Sequence, residues 1–467
     1  MHNRSLHFGL HALAALWLLC AASTARATPT DDSVWVVLGP QGQAVARYLT
    51  SQPCPDIVVD GSTHRMHLRA AAALEAQRPT ASPASASKAA NFAQRTCEFD
   101  LPAGTHSASI HGSNLPVAHD SYRRIVVIGD TGCRIKSGEP AQACNDPQHY
   151  PFAAIARAAA RWHPDLVVHV GDYLYRENHC PDNQPGCQGS PWGYGSDSWR
   201  ADFFTPARAL LQAAPWVMVR GNHESCQRGG QGWWRFLDPR PLQAGRDCNL
   251  ASNDMRGNFS DSYAVPLGDS AQIVVMDSAA VPRQPLEADD PRTQALRASL
   301  EQALQLTHQA QFNFLANHHP VLGFAAFYGH DGQAELAPGN SALQALLRKM
   351  QTGLYPASVD VLLSGHVHVW EQLDFSGTYP SQFIAGFSGT QEDIVPLPAH
   401  LPPDAQPAPG AQVAHFSSWV NGFGFMTMQR RDNQRWDVQI HDREGKVVNT
   451  CTIEGRHSQC KRDQIED

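Results

Sequence analysis

The sequence is short of positive charge. Its 36 lysine and arginine residues are outnumbered by 44 aspartate and glutamate residues, which leaves a formal net charge of -8. Surfaces that bind nucleic acid or an anionic membrane need basic residues to displace counterions. We therefore expect neither kind of partner, and the binding of a small anion must come from local charge.

Motifs of several common hydrolases are also missing. The chain has no Gly-x-x-x-x-Gly-Lys phosphate-binding loop and no Gly-x-Ser-x-Gly nucleophile elbow. No two cysteines have the Cys-x-x-Cys spacing of a thiolate zinc site. These absences argue against a P-loop nucleotide hydrolase, a serine hydrolase of the elbow type and a structural zinc site built from thiolates.

Long apolar runs are confined to the N-terminus. Residues 8–22 form an apolar run that follows Arg4 and precedes Ala25-Arg26-Ala27, a pattern typical of a cleaved secretory signal. The run is shorter than the ~20 residues that a membrane-spanning helix needs. We predict a signal peptide over residues 1–27, cleavage after Ala27, and a mature protein that is secreted or periplasmic and has no membrane partner.

Ten of the eleven cysteines lie beyond the predicted signal peptide, and they fall into neighbouring pairs. Disulfides are the expected state in an oxidising compartment, and neighbouring cysteines close short loops at a small entropic cost. Connectivity does not follow from sequence alone. Our hypothesis is five local bridges: Cys54 with Cys97, Cys133 with Cys144, Cys180 with Cys187, Cys226 with Cys248, and Cys451 with Cys460.

The length predicts one large domain accompanied by a smaller one, because single hydrophobic cores stop growing near ~250–300 residues. Residues 34–38 and 56–59 are short β-rich runs separated by turn residues, and 79–87 is an Ala-, Ser- and Pro-rich stretch that indicates a linker or long loop. We predict a small β-rich domain over residues 28–120 and a catalytic domain over 121–467. The first strands could instead extend the main sheet.

From residue 124 onward, short runs rich in valine, isoleucine and leucine alternate with helical stretches, which is typical of an α/β fold. The predicted helices include 152–162 and 292–306, and two further antiparallel strands are predicted over 423–429 and 436–441. The predicted buried strands are 125–129, 166–171, 216–221, 273–277, 312–317 and 361–365.

Five polar clusters stand where these strands end. Open α/β sheets bind ligands beyond the carboxyl ends of their strands, so we expect the clusters to converge on one place. Their carboxylate, imidazole, phenol and amide groups suit a pair of hard or borderline metal ions. A single Gly-Asp after a strand is usually only a turn, but five clusters in order favour a site. The clusters are Gly129-Asp130-Thr131-Gly132, Gly171-Asp172-Tyr173-Leu174-Tyr175, Gly221-Asn222-His223-Glu224, Asn317-His318-His319-Pro320 and Gly365-His366-Val367-His368.

Over residues 124–371 these clusters resemble the signature of the purple acid phosphatases, a branch of the calcineurin-like metallophosphoesterase superfamily. Most members of the superfamily have a histidine two residues after the first aspartate, where this chain has Gly132. The chain has Tyr175 three residues after Asp172, which is the mark of the purple branch. The resemblance implies a sandwich of mixed β-sheets flanked by helices.

The resemblance also implies a dinuclear metal centre. Asp172 would bridge the two ions, and His318 is favoured over the competing His319 because the family has its ligand two residues before a proline. The implied ligands of an Fe(III) ion in the first site are Asp130, Asp172, Tyr175 and His368. Those of a Zn, Mn or Fe(II) ion in the second site are Asp172, Asn222, His318 and His366.

The implied reaction is the hydrolysis of a small phosphate monoester by hydroxide that the metal ions generate from water. His223 would stabilise the transition state and protonate the leaving group, and His330 would face the substrate. Three alternatives stay open: a phosphodiesterase acting on nucleotide or lipid head-group esters, a non-catalytic metal- or phosphate-binding module, and a protein that handles iron or does redox chemistry. The segment 176–199 and the pair Trp233-Trp234 are candidates to line the substrate pocket, although the two tryptophans fit the core slightly better.

Overall fold

The computed structural model describes residues 32–351, 353–391, 395, 397–398 and 400–465. The predicted signal peptide lies outside the described residues. From Asp32 onward, the described residues form one compact unit. Among the described residues, none of the helices combines the length and the apolar character that a membrane crossing requires.

The larger of the two main sheets has eleven strands. Its central strands Arg124–Ile128, Leu166–His169 and Trp216–Met218 are parallel neighbours, and Ser33–Leu38 joins them in parallel through Val37 and Trp216. The strand order across this sheet is His457–Cys460, Val447–Glu454, Arg435–Asp442, Gly424–Arg430, Arg124–Ile128, Leu166–His169, Trp216–Met218, Ser33–Leu38, Ala44–Thr50, Arg95–Leu101 and His67–Ala70.

The smaller main sheet has seven strands, of which four consecutive ones are parallel. Its order is Tyr263–Pro266, Ala271–Val275, Phe312–Ala316, Val361–Ser364, Ser381–Ala385, Trp370–Phe375 and Val413–Trp419. The remaining strands form a four-stranded sheet (Ser113–Asn114, Ala108–Ile110, Asp56–Val59, Ser62–Arg65) and two hairpin-like pairs (Phe324–Tyr328 with Ala334–Pro338, and Ala73–Leu74 with Asn91–Phe92).

The two main sheets pack face to face, with their shared core between them. Ile125 and Val127 of one central strand belong to this core, whereas the alternate residues Val126 and Ile128 belong to a second core on the outer face. A strand buried on both faces has no polar alternation, so its sequence is a continuous apolar run. The helix Phe152–Arg161 contributes apolar side chains to the outer core.

Helices cover the outer face of the smaller sheet as well. Leu296 and Leu300 of one helix and Leu343 and Leu347 of another share a core with the strands of that sheet. The layers are therefore helices, sheet, sheet and helices, as expected for an α/β sandwich. The α-helices of the described residues are Phe152–Arg161, Ser196–Trp199, Thr205–Leu211, Gly230–Gly232, Asp254–Gly257, Pro291–Leu306 and Ser341–Met350, and Arg200–Phe204 and Trp233–Leu237 are π-helical.

The predicted α/β fold with mixed sheets is confirmed. All six predicted buried strands are present, and each ends one to three residues before its predicted end. Four of the six predicted ends included the glycine of the following cluster, which turns the backbone out of the strand. Gly171, for example, has a φ of 107°. The helices and the late antiparallel strands also occur where the sequence pattern indicates them.

The N-terminal region is β-rich, as predicted, but no division of the structure falls near residue 120. Ser33–Leu38 and Ala44–Thr50 continue the larger sheet, which is the arrangement that the sequence left open. The stretch 79–87 is a loop that packs on the rest of the chain, since Ala81 donates its N–H to the carbonyl of Gln227.

The five predicted disulfides are confirmed. The structure pairs Cys54 with Cys97, Cys133 with Cys144, Cys180 with Cys187, Cys226 with Cys248, and Cys451 with Cys460. Five bridges in one chain indicate an oxidising compartment.

We predict that the bridge closing the longest loop contributes most to stability. The Cys54–Cys97 bridge spans 43 residues and the Cys451–Cys460 bridge spans nine. Loop-closure entropy assigns them about 4 and about 2.5 kcal/mol of the free energy of unfolding. Chemical denaturation of the double variants C54A/C97A and C451A/C460A should show the larger loss for the first. Equal losses, or the reverse order, would contradict the loop-length argument.

Candidate metal centre

The polar clusters converge where the parallel strands of both main sheets end. The carboxyl ends of parallel strands point the same way, so residues that are far apart in sequence meet at one edge. The residues that follow these strands are Asp130, Asp172 and Asn222 in the larger sheet and His318 and His366 in the smaller one.

The loops that carry the side chains are tightly bent. Asp130, Asp172 and His366 have φ angles of 52°, 60° and 73°, in the left-handed region that residues with a side chain seldom occupy. Such strain tends to be kept where function requires a particular direction. A Cβ atom on Gly221 would lie 2.0 Å from Oδ1 of Asp172, so only glycine lets these two loops approach so closely.

Tyr175 connects the residues of one half of the cluster, Asp130, Asp172 and His368. Its hydroxyl lies 3.1 Å from Oδ1 of Asp130, 2.8 Å from Oδ2 of Asp172 and 2.8 Å from Nε2 of His368. A Cβ atom at position 132 would lie 2.9 Å from the Tyr175 ring. The absence of a side chain at Gly132 therefore makes the room that the tyrosine occupies.

Asn222 connects two histidines of the other half of the cluster, His318 and His366. Its Oδ1 lies 3.0 Å from Nε2 of His318 and 2.9 Å from Nδ1 of His366. Nε2 of His318 is also 3.1 Å from Oδ2 of Asp172. Asp172, His318 and His366 each offer a ligand atom, and these three atoms lie within 4.8 Å of one another. Because Oδ2 of Asp172 also contacts Tyr175, this carboxylate belongs to both halves.

The donor atoms fit a cation. Nδ1 of His318 lies 2.9 Å from the carbonyl oxygen of Val170, and Nδ1 of His368 lies 2.9 Å from that of Gln391. A carbonyl only accepts hydrogen bonds, so in each neutral ring Nδ1 carries the proton and Nε2 points a lone pair into the cluster. The lone pair of His318 then faces oxygens of Asp172 and Asn222. A metal ion would satisfy all of these groups, and backbone carbonyls behind the ligating histidines are a common feature of metal sites.

The electrostatics of the cluster also favour positive charge. Burial lowers the pKa of His318, but the carboxylates of Asp172 and Asp130 and the carbonyl of Val170 together outweigh burial and raise that pKa to about 9. Burial raises the pKa of Asp172, but His318 and His223 outweigh it and hold the pKa well below its usual range. His319 behaves differently, because burial and its neighbour His318 lower its pKa to about 3. Its Nδ1 lies 3.2 Å from the hydroxyl of Ser278 and not beside the carboxylates.

The structure places His223 against the cluster. Its backbone N–H donates to Oδ1 of Asp172 at 2.8 Å, and its ring stacks on that of Tyr175 with 3.7 Å between ring centroids. Nε2 of His223 lies 4.0 Å from Oδ2 of Asp172. The buried ring is therefore next to the cluster without being one of the groups that converge at its centre.

His330 is not brought into the cluster. It lies exposed in the turn between the strands Phe324–Tyr328 and Ala334–Pro338, and among the described residues it has no hydrogen bond or ion pair with the cluster. Trp233 and Trp234 are buried in the outer core of the larger sheet, which agrees with the core interpretation. Of the segment 176–199, Glu177 contacts His223 directly.

Three buried carboxylates beneath the loops had not been singled out from the sequence. Glu224 accepts the backbone N–H groups of four residues of the loops. Asp202 accepts those of Cys133, Tyr175 and Arg176 and pairs with the Arg176 side chain. Glu177 lies 2.7 Å from Nδ1 of His223. Glu224 stands inside a quoted cluster, but Asp202 and Glu177 follow no strand end and carried no sequence signal.

The comparisons with known proteins agree with this geometry. Residues 123–370 match the family model described as calcineurin-like phosphoesterase. No curated protein sequence matches the chain significantly. Among solved structures, the purple acid phosphatase PPD1 from yellow lupin (Lupinus luteus) seeds is 14% identical, with a TM-score of 0.55, and the match covers 92% of this chain and 75% of that one. A structure of PhoD is 12% identical, with a TM-score of 0.50, over 93% of this chain and 94% of that one. These identities are low, so the two structures show a shared fold.

Glu371 is an unusual feature of the strand that follows the last histidine cluster. Its side chain is fully buried, Oε1 accepts the backbone N–H of Phe324, and Oε2 has no hydrogen-bond partner among the described residues. Burial raises the pKa of Glu371 to about 8, and the bond from Phe324 offsets only part of this effect. The side chain is therefore protonated at neutral pH.

We predict that Glu371 makes the protein less stable as the pH rises. Between its ordinary pKa, near 4.5, and its folded value, near 8, the folded state holds a proton that the unfolded state has lost. The stabilisation that the protonated Glu371 gives to the folded state is therefore fully present below pH 4.5. As the pH rises toward 8, the free energy of unfolding falls by up to about 1.4 kcal/mol per pH unit. The variant E371Q, which cannot ionise, should have a flatter profile of unfolding free energy in this window. Identical slopes for the two proteins would show that Glu371 is not protonated when folded.

Proposed function

Because the chain belongs to the calcineurin-like phosphoesterase family and is a metal-dependent phosphoesterase, we propose that it hydrolyses phosphate monoesters at a dinuclear centre of the purple acid phosphatase type. The observation that carries the proposal is the convergence of Tyr175 and Asp172. A phenol that contacts two carboxylates and a histidine, in a cluster whose other half is an amide and two histidines, is the donor set that the purple branch implies.

We assign the ligands by halves of the cluster. Asp172 is shared, because its Oδ2 contacts both Tyr175 and His318. Phenolate and carboxylates suit a ferric ion, while the amide and imidazoles suit zinc, manganese or ferrous iron. The first site would comprise Asp130, Asp172, Tyr175 and His368, and the second Asp172, Asn222, His318 and His366.

The residues of the chain have distinct tasks in the proposed reaction. Bound metal ions supply positive charge to phosphate oxygens and lower the pKa of water. The Asp172 carboxylate keeps the two halves of the cluster together, and the left-handed turns hold the ligands in place. His223 has Nδ1 directed to protein oxygens and Nε2 free near Asp172, so Nε2 is the atom that would hand a proton to the leaving oxygen.

Two further assignments remain proposals. The five disulfides indicate an oxidising compartment, and together with the predicted signal over residues 1–27 they support a secreted or periplasmic protein. His330 could meet a substrate only from the exposed turn in which it lies, and its catalytic role stays a prediction. The proposed substrate is a small phosphate ester.

We predict that His318 and His319 differ in their effect on bound metal. His318 faces Asp172 and Asn222, whereas His319 contacts Ser278. The variant H318A should lose most of the metal of the second site in elemental analysis of the purified protein. H319A removes an equally buried neighbouring ring and is the matched control, and it should keep that metal. Loss in H319A alone would reverse the assignment of the ligand.

We predict that the purified protein is purple, contains iron and prefers monoesters. A tyrosinate bound to ferric iron gives a visible absorption band, so Y175F should lose the band. p-Nitrophenyl phosphate and bis-p-nitrophenyl phosphate, assayed side by side, should show faster turnover of the monoester. Faster turnover of the diester would favour a phosphodiesterase, and two bound metal ions without turnover of either ester would favour a binding module.

A further inference from the structure

His319 lies beside the candidate metal centre but is not one of its proposed ligands. Its ring packs on that of His366, with 4.3 Å between the two centroids. The residue is buried except for a remaining exposure of 4%. A ring in this position can pack against the ligand or bind something that reaches the centre, and its hydrogen bonds indicate which atom is available for binding.

The hydroxyl of Ser278 fixes the position of the proton on the His319 ring. The Ser278 oxygen is buried and accepts the backbone N–H groups of His318 and His319, each at 3.1 Å. A hydroxyl oxygen has two lone pairs and one hydrogen, so these two bonds leave only the hydrogen for a further partner. Nδ1 of His319 lies 3.2 Å from the same oxygen and therefore accepts that hydrogen. The other nitrogen, Nε2, carries the proton of the ring and is a hydrogen-bond donor.

This donor has no partner within the described part of the chain. Nε2 of His319 makes no hydrogen bond there, and it is not one of the side-chain nitrogens and oxygens that the described residues enclose completely without a partner. Nε2 therefore lies at the edge of the ring that remains exposed. An N–H group at such an edge can meet a ligand that arrives from solvent.

The exposed edge of His319 lies next to the open side of the cluster. Two of the seven proposed ligands, Asn222 and His366, are only half-buried, whereas the other five are buried. Solvent therefore reaches the cluster at the half that contains these two residues. His319 packs directly on the second of them, so its N–H group borders the path by which a phosphate ester would approach.

We propose that His319 is a substrate-binding residue, whose Nε2–H donates a hydrogen bond to a phosphate oxygen of the ester beside the second metal site. The inference rests on the proposed function, which supplies both the phosphate ester and the second site. The sequence pattern gave the task of a second substrate-facing histidine to His330. The structure leaves His330 in an exposed turn outside the cluster, whereas His319 stands at the opening of the cluster with a donor to offer.

The simpler interpretation is that His319 only packs against His366 and keeps that ligand in place. The variants H319F and H319Q separate the two interpretations. Phenylalanine keeps an aromatic ring against His366 but has no donor, while glutamine has no ring but keeps a side-chain N–H group near the position of Nε2. A binding role predicts that H319F is the more harmful variant, and a packing role predicts that H319Q is.

The test measures the binding of inorganic phosphate to the metal-loaded protein by calorimetry, which requires no turnover. A hydrogen bond to a charged group corresponds to about 10–100-fold in affinity. We expect the Kd for phosphate to rise by at least about 10-fold in H319F and by less in H319Q. Metal content and melting temperature of both variants should stay close to those of the wild type.

Kinetics give a second measurement. A contact to the phosphate group that exists before and during the reaction affects KM rather than kcat. For p-nitrophenyl phosphate we therefore expect KM to rise in H319F by a factor similar to that of the Kd for phosphate, with a smaller change in kcat. A loss confined to kcat would contradict a role in binding.

H330A is the competing variant, since it removes the histidine that the sequence pattern favoured. A weaker affinity for phosphate in H330A but not in H319F would overturn the proposal, and so would an unchanged Kd or a loss of metal in H319F. A crystal structure of the wild type with phosphate should place Nε2 of His319 within about 3.2 Å of a phosphate oxygen, and a longer separation would also overturn it. Wild-type protein that binds phosphate with the expected loss in H319F, but hydrolyses no ester, would refute only the proposed function.

Discussion

The site depends on one electrostatic constraint that the fold creates: buried carboxylates and histidines are held so close together that positive charge is favoured between them. Backbone carbonyls of Val170 and Gln391 contact Nδ1 of two histidine rings, so the opposite nitrogens face the oxygens of the cluster, where a proton or a metal ion can lie. The strained turn at Asp172 and the glycine that faces it bring these groups close together. The sandwich of sheets supplies the rigidity that such crowding needs, since loops anchored at the ends of buried parallel strands cannot relax apart.

Local sequence patterns predicted much of the fold and of the candidate site. The strand around Val126 is apolar on both faces because sheet and helix cover it, and an uninterrupted apolar run predicts that burial. In four of the five polar clusters, the glycine that opens the cluster marks the place where the backbone leaves the strand. Because strand ends in one parallel sheet share an edge, the meeting of Asp130 with Asp172 followed from these runs. The cysteine pairs are neighbours along the chain, and the hypothesis of local bridges that this order suggested is confirmed.

Contacts between distant segments could not be predicted in the same way. The sequence around Asp202 and Glu177 carries no motif that marks a site, and their contacts are with residues that only the folded chain brings close, such as Tyr175 and His223. The location of Ser33–Leu38 beside Trp216–Met218 is likewise a matter of tertiary pairing, because a β-rich run suits a separate domain as well as a sheet edge. The distance of His330 from the cluster depends on the path of its hairpin, which residue spacing does not give.

The strand order of the larger sheet has a consequence for how the chain folds. Arg124–Ile128, which leads to Asp130, pairs on one side with Leu166–His169 and on the other with Gly424–Arg430, nearly three hundred residues later. Contacts between such remote segments are slow to form. Until they form, a strand whose partner is missing exposes an unpaired edge. A chain that arrives from its N-terminus would keep one side of this central strand open until almost the last residues had appeared. A chaperone that covers this unpaired strand edge would therefore act late, on a nearly complete polypeptide.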